Sequence, residues 1–418
     1  MKLPLSLVVL VVLCSSGMIL AEDVYRFRGE NSQGKFNESG LLDSWPEDGL
    51  KPKWLNTELG EGWSSVVKVK DRLYLNGFDS ADSKKESVVC LDLNGKKIWQ
   101  KPVGAITNRD HNSPRTTPTY VAGANAADDK LVVLSGSGEL FCLAAVNGDV
   151  LWNKDVASIY ETQFGNWGMA ENVVANDGKV FVTVGGKKAL AVALNIADGS
   201  EAWVAEPLDD RCAYVAPVLY ENKLITVTAK YVTMIDTKTG ELIWKDDFIQ
   251  ASGGGGRMSG IHCNAPIIKG NQFFVTQGYG QGCAMYEFLP DGKGAQQLWG
   301  NKGIDTHHHG VVEVEGRIYG SNFRGLWVCL DWKTGETVYG PETWKGKGVT
   351  IFADGKLFMY AEGGGTLAVA KPGDQFEITS SFPIEFGTAE HWSHPVISDG
   401  VLYVRHGNSL AAYDITKK

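Results

Sequence analysis

Histidine, arginine and tryptophan, the residue types here best suited to ligand binding or proton transfer, are concentrated in a few long, turn-rich segments. The chain has 8 histidines, and imidazole binds transition metals and exchanges protons near neutral pH. The candidate ligand-binding residues of these types are Arg109, His111, Arg115, Trp167, Arg211, Arg257, His262, His307, His309, Trp392 and His394. The acidic and amide residues Asn166, Glu171, Asp210 and Asn264 of the same segments complete the candidate set.

Three consecutive histidines, His307–His309, are the strongest candidate metal ligands by composition. Adjacent side chains of an extended segment point in opposite directions, so we expect at most two of the three to reach one ion. The segment has neither helical i, i+4 spacing nor a carboxylate at a fixed offset. The pattern alone therefore assigns no metal site, and the alternative is imidazoles bonded to the loop backbone.

Motifs for other chemistry are absent from the sequence. It has no G-x-S-x-G elbow, which positions a nucleophilic serine, and no C-x-x-C pair with zinc-site spacing. The run GGGGR (Gly253–Arg257) lacks the strand–loop–helix context of a phosphate-binding loop and indicates a wide loop instead. Catalytic residues are therefore not assigned.

The elements that must position these residues form a repeat. An apolar run, a turn with glycine and a second apolar run ending in an aromatic residue recur, as in GELFCLAAVNGDVLW (Gly138–Trp152). This pattern is typical of a β-hairpin whose turn needs the positive φ that glycine adopts easily. The glycine precedes the aromatic residue by four positions in Gly95–Trp99, Gly148–Trp152, Gly199–Trp203, Gly240–Trp244 and Gly335–Tyr339.

Another pair of short strands precedes each hairpin, which gives four strands per unit and predicts an all-β protein, a β-propeller. We expect eight blades, or seven if the weak unit Gly348–Ile384 is irregular. Pro52–Leu59 resembles a fourth strand without a blade, so it is predicted to complete the last one. The predicted blades are Ser64–Val103, Thr117–Val156, Asn172–Pro207, Ala216–Phe248, Ala265–Lys302, Gly310–Trp344, Gly348–Ile384, and His394–Thr416 with Pro52–Leu59.

The blade pattern also predicts where the candidate residues lie. Loops that join blades, and turns between the second and third strands of a blade, face the same side of a propeller. All the histidines fall in such loops and turns, so we expect a face rich in histidine, arginine and tryptophan. Loops held by a rigid scaffold are common binding sites.

The chain begins with a segment typical of a secretory signal peptide. Residues 1–21 have a basic start at Lys2, an apolar core and Ala21 at a suitable cleavage point. Lipidation at Cys14 is the alternative, although Leu13 before it fits that motif poorly. We expect an N-terminal arm over residues 22–51, ordered or semi-ordered, and one propeller domain over 52–418. The predicted location is the periplasm or the exterior of the cell.

Composition narrows the class of partner. The net charge is −9, and an acidic chain without basic clusters argues against nucleic-acid binding. No apolar run is long enough for a transmembrane helix. We expect a monomer that binds a protein or a small molecule on the histidine-rich face.

The cysteines divide into two groups. Cys90, Cys142 and Cys329 occupy the same strand position in three blades, which is typical of small buried apolar residues. Cys212, Cys263 and Cys283 lie near loops, where an exported protein could form a disulfide, and the sequence does not choose a pairing.

The repeats LDLNGKKIW, IDTKTGELIW and LDWKTGETVY resemble the pyrroloquinoline-quinone (PQQ) repeat. The chain is thus similar to PQQ-like β-propellers, a family that includes quinoprotein dehydrogenases and an outer-membrane assembly lipoprotein. Residues 27–66 resemble the start of secreted bacterial members. Because the repeat packs blades together, the resemblance is specific for the fold and not for an activity.

For an enzyme, the resemblance implies arginines around PQQ, a tryptophan below it, acidic and amide calcium ligands, and an aspartate base. Arg109, Arg115, Arg211, Arg257, Trp167, Asn166, Glu171, Asp209 and Asp210 are the counterparts that this chain offers. It lacks the adjacent cysteine pair of many such enzymes and a C-x-x-C-H haem motif. The leading hypothesis is therefore a binding scaffold, and the alternative is a PQQ- and calcium-dependent alcohol or sugar dehydrogenase.

Overall fold

A computed structural model describes residues 23–107, 111–256, 258 and 260–418. The predicted signal peptide and Cys14 lie outside these residues. The regular secondary structure of the described residues is almost all β-strand. It forms eight blades of four antiparallel strands, and a short N-terminal strand adds to the seventh blade in parallel. The predicted fold class, an eight-bladed β-propeller, is confirmed.

The first six blades are β3–β6, β7–β10, β11–β14, β15–β18, β19–β22 and β23–β26. Their bounds are β3 Val67–Val69, β4 Arg72–Phe78, β5 Lys85–Asp92, β6 Lys97–Ala105, β7 Thr119–Val121, β8 Lys130–Leu134, β9 Glu139–Ala144, β10 Val150–Asp155, β11 Val174–Asn176, β12 Lys179–Val182, β13 Val192–Asn195, β14 Glu201–Val204, β15 Val218–Tyr220, β16 Lys223–Val227, β17 Tyr231–Asp236, β18 Leu242–Asp247, β19 Ile267–Lys269, β20 Gln272–Gln277, β21 Gly282–Phe288, β22 Ala295–Asn301, β23 Val312–Val314, β24 Arg317–Ser321, β25 Leu326–Asp331 and β26 Thr337–Thr343.

The last two blades include the N-terminal strands β1 (Lys35–Phe36) and β2 (Trp54–Asn56). No helix in the described part of the chain is long and apolar enough to cross a membrane. The remaining elements are β27 Gly348–Ala353, β28 Lys356–Ala361, β29 Thr366–Lys371, β30 Glu377–Pro383, β31 Val396–Ser398, β32 Val401–His406, β33 Ser409–Asp414, two short α-helices, α1 Val156–Ile159 and α2 Phe248–Ser252, and three 3-10 turns, Glu30–Ser32, Ala126–Asp128 and Gly363–Gly365.

The first strand of each blade faces the central channel, and the fourth lies at the rim. Strand β3 is fully buried, whereas β10 alternates between exposed and half-buried residues. The weak unit Gly348–Ile384 forms a regular blade, β27–β30, so the seven-blade alternative is wrong. Strand β2 pairs with β33, Trp54 opposite Ala412, and so closes the ring as predicted.

Neighbouring blades interlock through a tryptophan of one blade and the turn glycine of the next. A Cβ on Gly199 would lie 2.8 Å from the Trp152 ring, and the Trp152 indole donates a hydrogen bond to the Ile196 carbonyl at 2.9 Å. The repeat glycine therefore supplies both positive φ, +71° here, and room for an aromatic ring. The same contact, at 2.4–2.8 Å, joins Gly95 to Trp54, Gly148 to Trp99, Gly240 to Trp203 and Gly335 to Trp299.

The N-terminal arm lies in the central channel and contacts the inner strands of several blades. Val24 bridges to Lys68 of β3, and the Asn31 side chain bonds both backbone polar groups of Leu219 in β15. Strand β1 then pairs in parallel with β27. The Glu38 carboxylate accepts from the amides of Asp399 and Gly400 at 2.9 and 3.0 Å. The arm thus fills the channel that a ring of blades leaves open.

Arg28 of the arm contacts three different blades. Its buried guanidinium donates to the carbonyls of Val311 at 2.7 Å and Thr350 at 3.2 Å. It also donates to the His309 carbonyl at 3.4 Å and lies 3.0 Å from His394 Nδ1. Burial lowers the pKa of Arg28 to about 9. One arm residue therefore ties together the sixth, seventh and eighth blades.

All six described cysteines are free thiols. Cys90, Cys142 and Cys329 are fully buried in apolar clusters, as predicted. The disulfide considered among Cys212, Cys263 and Cys283 is not formed, and Cys212 and Cys283 are buried among strands.

The contact between tryptophan rings and turn glycines predicts that an alanine substitution lowers the free energy of unfolding by different amounts at two turn glycines. Gly199→Ala should lower the free energy of unfolding by about 1–3 kcal/mol more than Gly178→Ala, because the new methyl group overlaps the Trp152 ring. Gly178 has a matching φ of +70° but nothing within 4 Å of its added Cβ, so it isolates the cost of backbone strain. Denaturant unfolding of both variants provides the measurement, and equal losses would contradict the interlock.

Candidate functional site

A cavity of about 250 Å³ lies at one mouth of the central channel. Its floor includes Phe27 of the arm, which packs on His394 with ring centroids 4.7 Å apart. The rest of the lining comes from loops before β3, β7, β11, β15, β19, β23 and β31 and from the turn between β20 and β21, namely Trp63, His111, Arg115, Trp167, Ala170, Asn172, Tyr214, Ile261, Cys263, Tyr279, His307, His308, Trp392 and His394.

Aromatic rings in mutual contact form most of the cavity wall. Trp392 lies between Trp63 and His308, with ring centroids 4.7 Å from each. On the other side, Trp167 meets Tyr214 edge to face at 5.6 Å. Such rings offer flat apolar surface at low conformational cost. The wall therefore suits a flat ligand with apolar faces.

Arg115 is the permanently charged side chain among the described residues that line the cavity. The Arg115 guanidinium lies 5.3 Å from the centre of the Trp63 ring and donates to the His111 carbonyl. Burial lowers the pKa of Arg115, but an arginine remains protonated in proteins. No carboxylate is among the lining residues in the described part of the chain. The cavity therefore favours a neutral or anionic ligand over a cation.

The His307–His309 segment bends instead of extending, and its three rings gather on one side. Neighbouring ring centroids are 4.1 Å apart for both His307–His308 and His308–His309. One ring nitrogen from each residue lies within 4.8 Å of the other two. The expectation that at most two could share an ion is wrong, because it assumed an extended backbone.

Glu362 contacts this histidine cluster. Its Oε1 lies 2.9 Å from His309 Nε2 and 3.6 Å from His308 Nε2. Burial alone would raise the pKa of Glu362, but contacts with His308 and His309 outweigh it and hold the pKa below the ordinary value. Burial lowers the pKa values of His307, His308 and His309 to about 2, 3 and 4. The three imidazoles are therefore neutral at physiological pH.

The structure divides the predicted site residues into four groups. His111, Arg115, Trp167, His307, Trp392 and His394 line the cavity. Asn264 and His309 lie behind the wall: the Asn264 amide donates to the His307 carbonyl at 2.8 Å. Asn166, Glu171, Asp210, Arg211 and His262 are outside the lining. Arg109 and Arg257 lie outside the described residues.

The residues that would supply calcium ligands do not converge. Both Glu171 oxygens accept from the Thr183 amide, at 3.0 and 3.1 Å. The Asp210 carboxylate accepts from the amides of Arg211 and Lys230, and Asn166 is exposed. The described residues therefore do not fit a calcium ion beside a bound quinone. Arg115 and Trp167 do fit the arginine and tryptophan that the resemblance implies.

His262 is a core residue, not a site residue. It is fully buried and packs edge to face on Phe248 of α2 at 4.6 Å. Burial lowers its pKa to about 3. Histidine enrichment in loops was therefore an imperfect guide to the site.

Several lining residues were missed by the sequence analysis. Trp63 and Tyr214 lie in loops that join predicted blades, so the rule used for histidine would have found them if applied to all aromatic residues. Cys263 was considered only as a disulfide candidate. Phe27 could not be found this way, because nothing in its neighbourhood indicates that the arm enters the channel.

Glu171 generates a prediction about pH. Burial raises its pKa from the ordinary 4.5 to about 8, against the opposing bonds from Thr183. The protonated form is therefore favoured in the folded state, and stability is lost as pH rises from about 4.5 towards 8. Glu171→Gln should be more stable than the wild type at pH 8, by on the order of 2 kcal/mol, and should lose this advantage near pH 5.

Denaturant unfolding at both pH values provides this measurement. Glu206→Gln, at an exposed position, is the matched control and should change neither value. A wild-type protein and a Glu171→Gln variant with parallel pH profiles would contradict the raised pKa.

Comparison with known proteins agrees with the fold. The chain superimposes on BamB from Moraxella catarrhalis with a TM-score of 0.63 at 14% identity, over 87% of this chain and 99% of that one. It superimposes on the quinohemoprotein alcohol dehydrogenase from Comamonas testosteroni with a TM-score of 0.63 at 12% identity, over 95% and 81%. The computationally designed protein Ika8 gives a TM-score of 0.54 at 12% identity, over 86% and 100%.

At the sequence level, no curated protein matches the chain. A family profile does match: it is described as outer membrane protein assembly factor BamB and covers residues 84–340, more than half of the chain. Together with the eight interlocked blades, this match shows that the chain belongs to the PQQ-like β-propeller family that this profile describes.

Proposed function

We propose that the protein is a binding propeller that holds a small ligand in the cavity at the mouth of its central channel. The ligand has a flat apolar face and a neutral or anionic polar group. The observation that carries this proposal is the cavity itself: aromatic rings wall it, Arg115 lines it, and no carboxylate is among its described lining residues.

The size of the cavity favours a small ligand over the folded surface of a partner protein. Its volume of about 250 Å³ is just below the roughly 300–1,000 Å³ of pockets that bury drug-sized ligands. An aromatic side chain that projects from a partner protein would pack against the same wall. The cavity therefore suits a protein-binding scaffold by the same contacts.

The arm closes the inner end of the cavity. Phe27 lines its floor, and Arg28 is buried directly behind, beside His394. The opposite end of the channel is a separate depression of about 980 Å³, lined by other residues of the arm such as Asp23, Glu30 and Asn37. A ligand therefore enters and leaves the cavity by the same mouth, which supports binding and release, not passage through the channel.

A quinoprotein dehydrogenase is the alternative. Arg115 and Trp167 line the cavity and would contact a carboxylate and a face of PQQ, a planar quinone that accepts electrons when bound. Among the described lining residues there is no carboxylate, and the side-chain oxygen of Asn172, a lining amide, already accepts from the Thr117 backbone amide at 2.6 Å. This disagreement with the implied calcium site favours ligand binding over redox catalysis.

We also propose that the protein works outside the cytoplasm, in the periplasm or as a secreted protein. The basic start, apolar core and Ala21 of residues 1–21 support this location.

Tryptophan fluorescence tests the binding proposal, because Trp63, Trp167 and Trp392 are all in the wall. Titration with 2-naphthoate, a planar aromatic carboxylate, should quench fluorescence saturably, and the neutral 2-naphthalenemethanol should bind more weakly. Arg115→Gln should weaken naphthoate binding roughly tenfold, because a hydrogen bond to a charged group is lost. It should leave the affinity for the alcohol nearly unchanged.

Arg324→Gln, at an exposed arginine outside the lining, is the matched control and should bind both compounds as the wild type does. Equal affinity for the two compounds in every variant would contradict the proposed charge preference. A parallel titration with PQQ separates the two functions: calcium-dependent binding at one site would favour the dehydrogenase.

A further inference from the structure

We propose that His308, His309 and Glu362, with His307 beside them, form a binding site for a divalent first-row transition-metal ion in the wall of the cavity. The site lies on the side of the wall formed by blades six and seven, and it does not depend on an organic ligand being bound. Imidazole nitrogen and carboxylate oxygen are ligands that Zn²⁺ and its neighbours in the series accept.

The distances between the candidate ligand atoms are close to those of a metal site. Metal–nitrogen bonds of 2.0–2.1 Å at tetrahedral angles place neighbouring ligand atoms about 3.3 Å apart. Glu362 Oε1 lies 2.9 Å from His309 Nε2 and 3.6 Å from His308 Nε2, values on either side of that spacing. The three histidines each offer a nitrogen within 4.8 Å of the others. Both His307 nitrogens already have partners, Tyr279 Oη at Nε2 and Lys347 Nζ at Nδ1, each at 2.8 Å. His308, His309 and Glu362 therefore supply the ligand atoms, with His307 beside them.

Two ring nitrogens in this cluster are buried without a hydrogen-bond partner among the described residues, His308 Nε2 and His309 Nδ1. His309 is fully buried. A buried polar atom without a partner costs free energy, so its presence needs a reason. An ion bound by His308 Nε2 would remove one of these two costs.

The backbone beneath the rings is held in place at every residue. The Asn264 amide donates to the His307 carbonyl at 2.8 Å, His394 Nε2 lies 3.0 Å from the His308 carbonyl, and Arg28 donates to the His309 carbonyl at 3.4 Å. The Asn264 oxygen also accepts from the Gly310 amide. Ligands supported in this way lose little freedom on binding, which favours affinity.

The ammonium of Lys347 would repel a bound cation, so replacing this residue tests the electrostatics of the site. Its ammonium lies 3.9 Å from Glu362 Oε2 and 2.8 Å from His307 Nδ1. A cation bound at Glu362 would be repelled by this charge, so the lysine lowers the affinity of the site. His308 also lines the cavity, which leaves one side of the ion open to it.

Isothermal titration of the full-length protein, produced without a polyhistidine tag and dialysed against a chelator, tests the site with Zn²⁺ and Cu²⁺. One ion per chain is expected. Glu362→Gln and His308→Gln should each weaken binding at least tenfold, and Lys347→Met should tighten it several-fold. Electron paramagnetic resonance of the Cu²⁺ form should show coupling to at least two imidazole nitrogens.

His391→Gln is the matched control, since His391 is a half-exposed histidine outside the cluster, bonded to Tyr360, and it should bind as the wild type does. Melting curves without metal would show that each variant folds. Absence of one-to-one binding by the wild type would overturn the proposal. Equal binding by the wild type, Glu362→Gln and His308→Gln would overturn it as well.

Discussion

The ring depends on the contact between a tryptophan of one blade and the turn glycine of the next. The contact recurs from Gly95 to Gly335 with the ring 2.4–2.8 Å from the position of an added Cβ. Each blade buries both of its faces against neighbours, so no blade is complete alone. Strand β2 brings Trp54 to Gly95 and pairs with β33, so it joins the first and last blades by the contact that also joins four other pairs of neighbouring blades.

The arm determines the shape of the central channel. Without it, a ring of eight blades encloses a channel, whereas here Phe27 and Arg28 separate the two ends. Arg28 also donates to the His309 carbonyl and contacts His394. The residue that plugs the channel is thus part of the support of the histidine cluster. The packing of blades six to eight and the shape of the cavity are therefore connected through one buried guanidinium.

The sequence predicted the features that repeat along the chain. It did not predict the features that a single segment forms once. Blade number, closure by Pro52–Leu59 and the buried cysteines followed from a pattern sampled many times along the chain. The path of the arm, the bend at His308 and the engagement of Glu171 by Thr183 each depend on contacts between segments distant in sequence. Single loops carry no repeated pattern, so candidates there were selected by residue type alone. This selection placed the cavity residues His111 and Trp392 in the same set as the core residue His262.

The order of the arm and the closing strand along the chain constrains how the protein folds. The arm precedes every blade, yet β1 pairs with β27, and Glu38 binds the turn at Asp399. These partners are synthesised last, so the part of the arm from Lys35 to Glu38 must stay unpaired while most of the blades form. The arm's polar residues, among them Glu30, Asn31 and Gln33, keep such a segment hydrated during that interval. Pairing between the two ends of a long chain is slow because of the loop that it closes, and the plug is therefore among the last parts of the molecule to assemble.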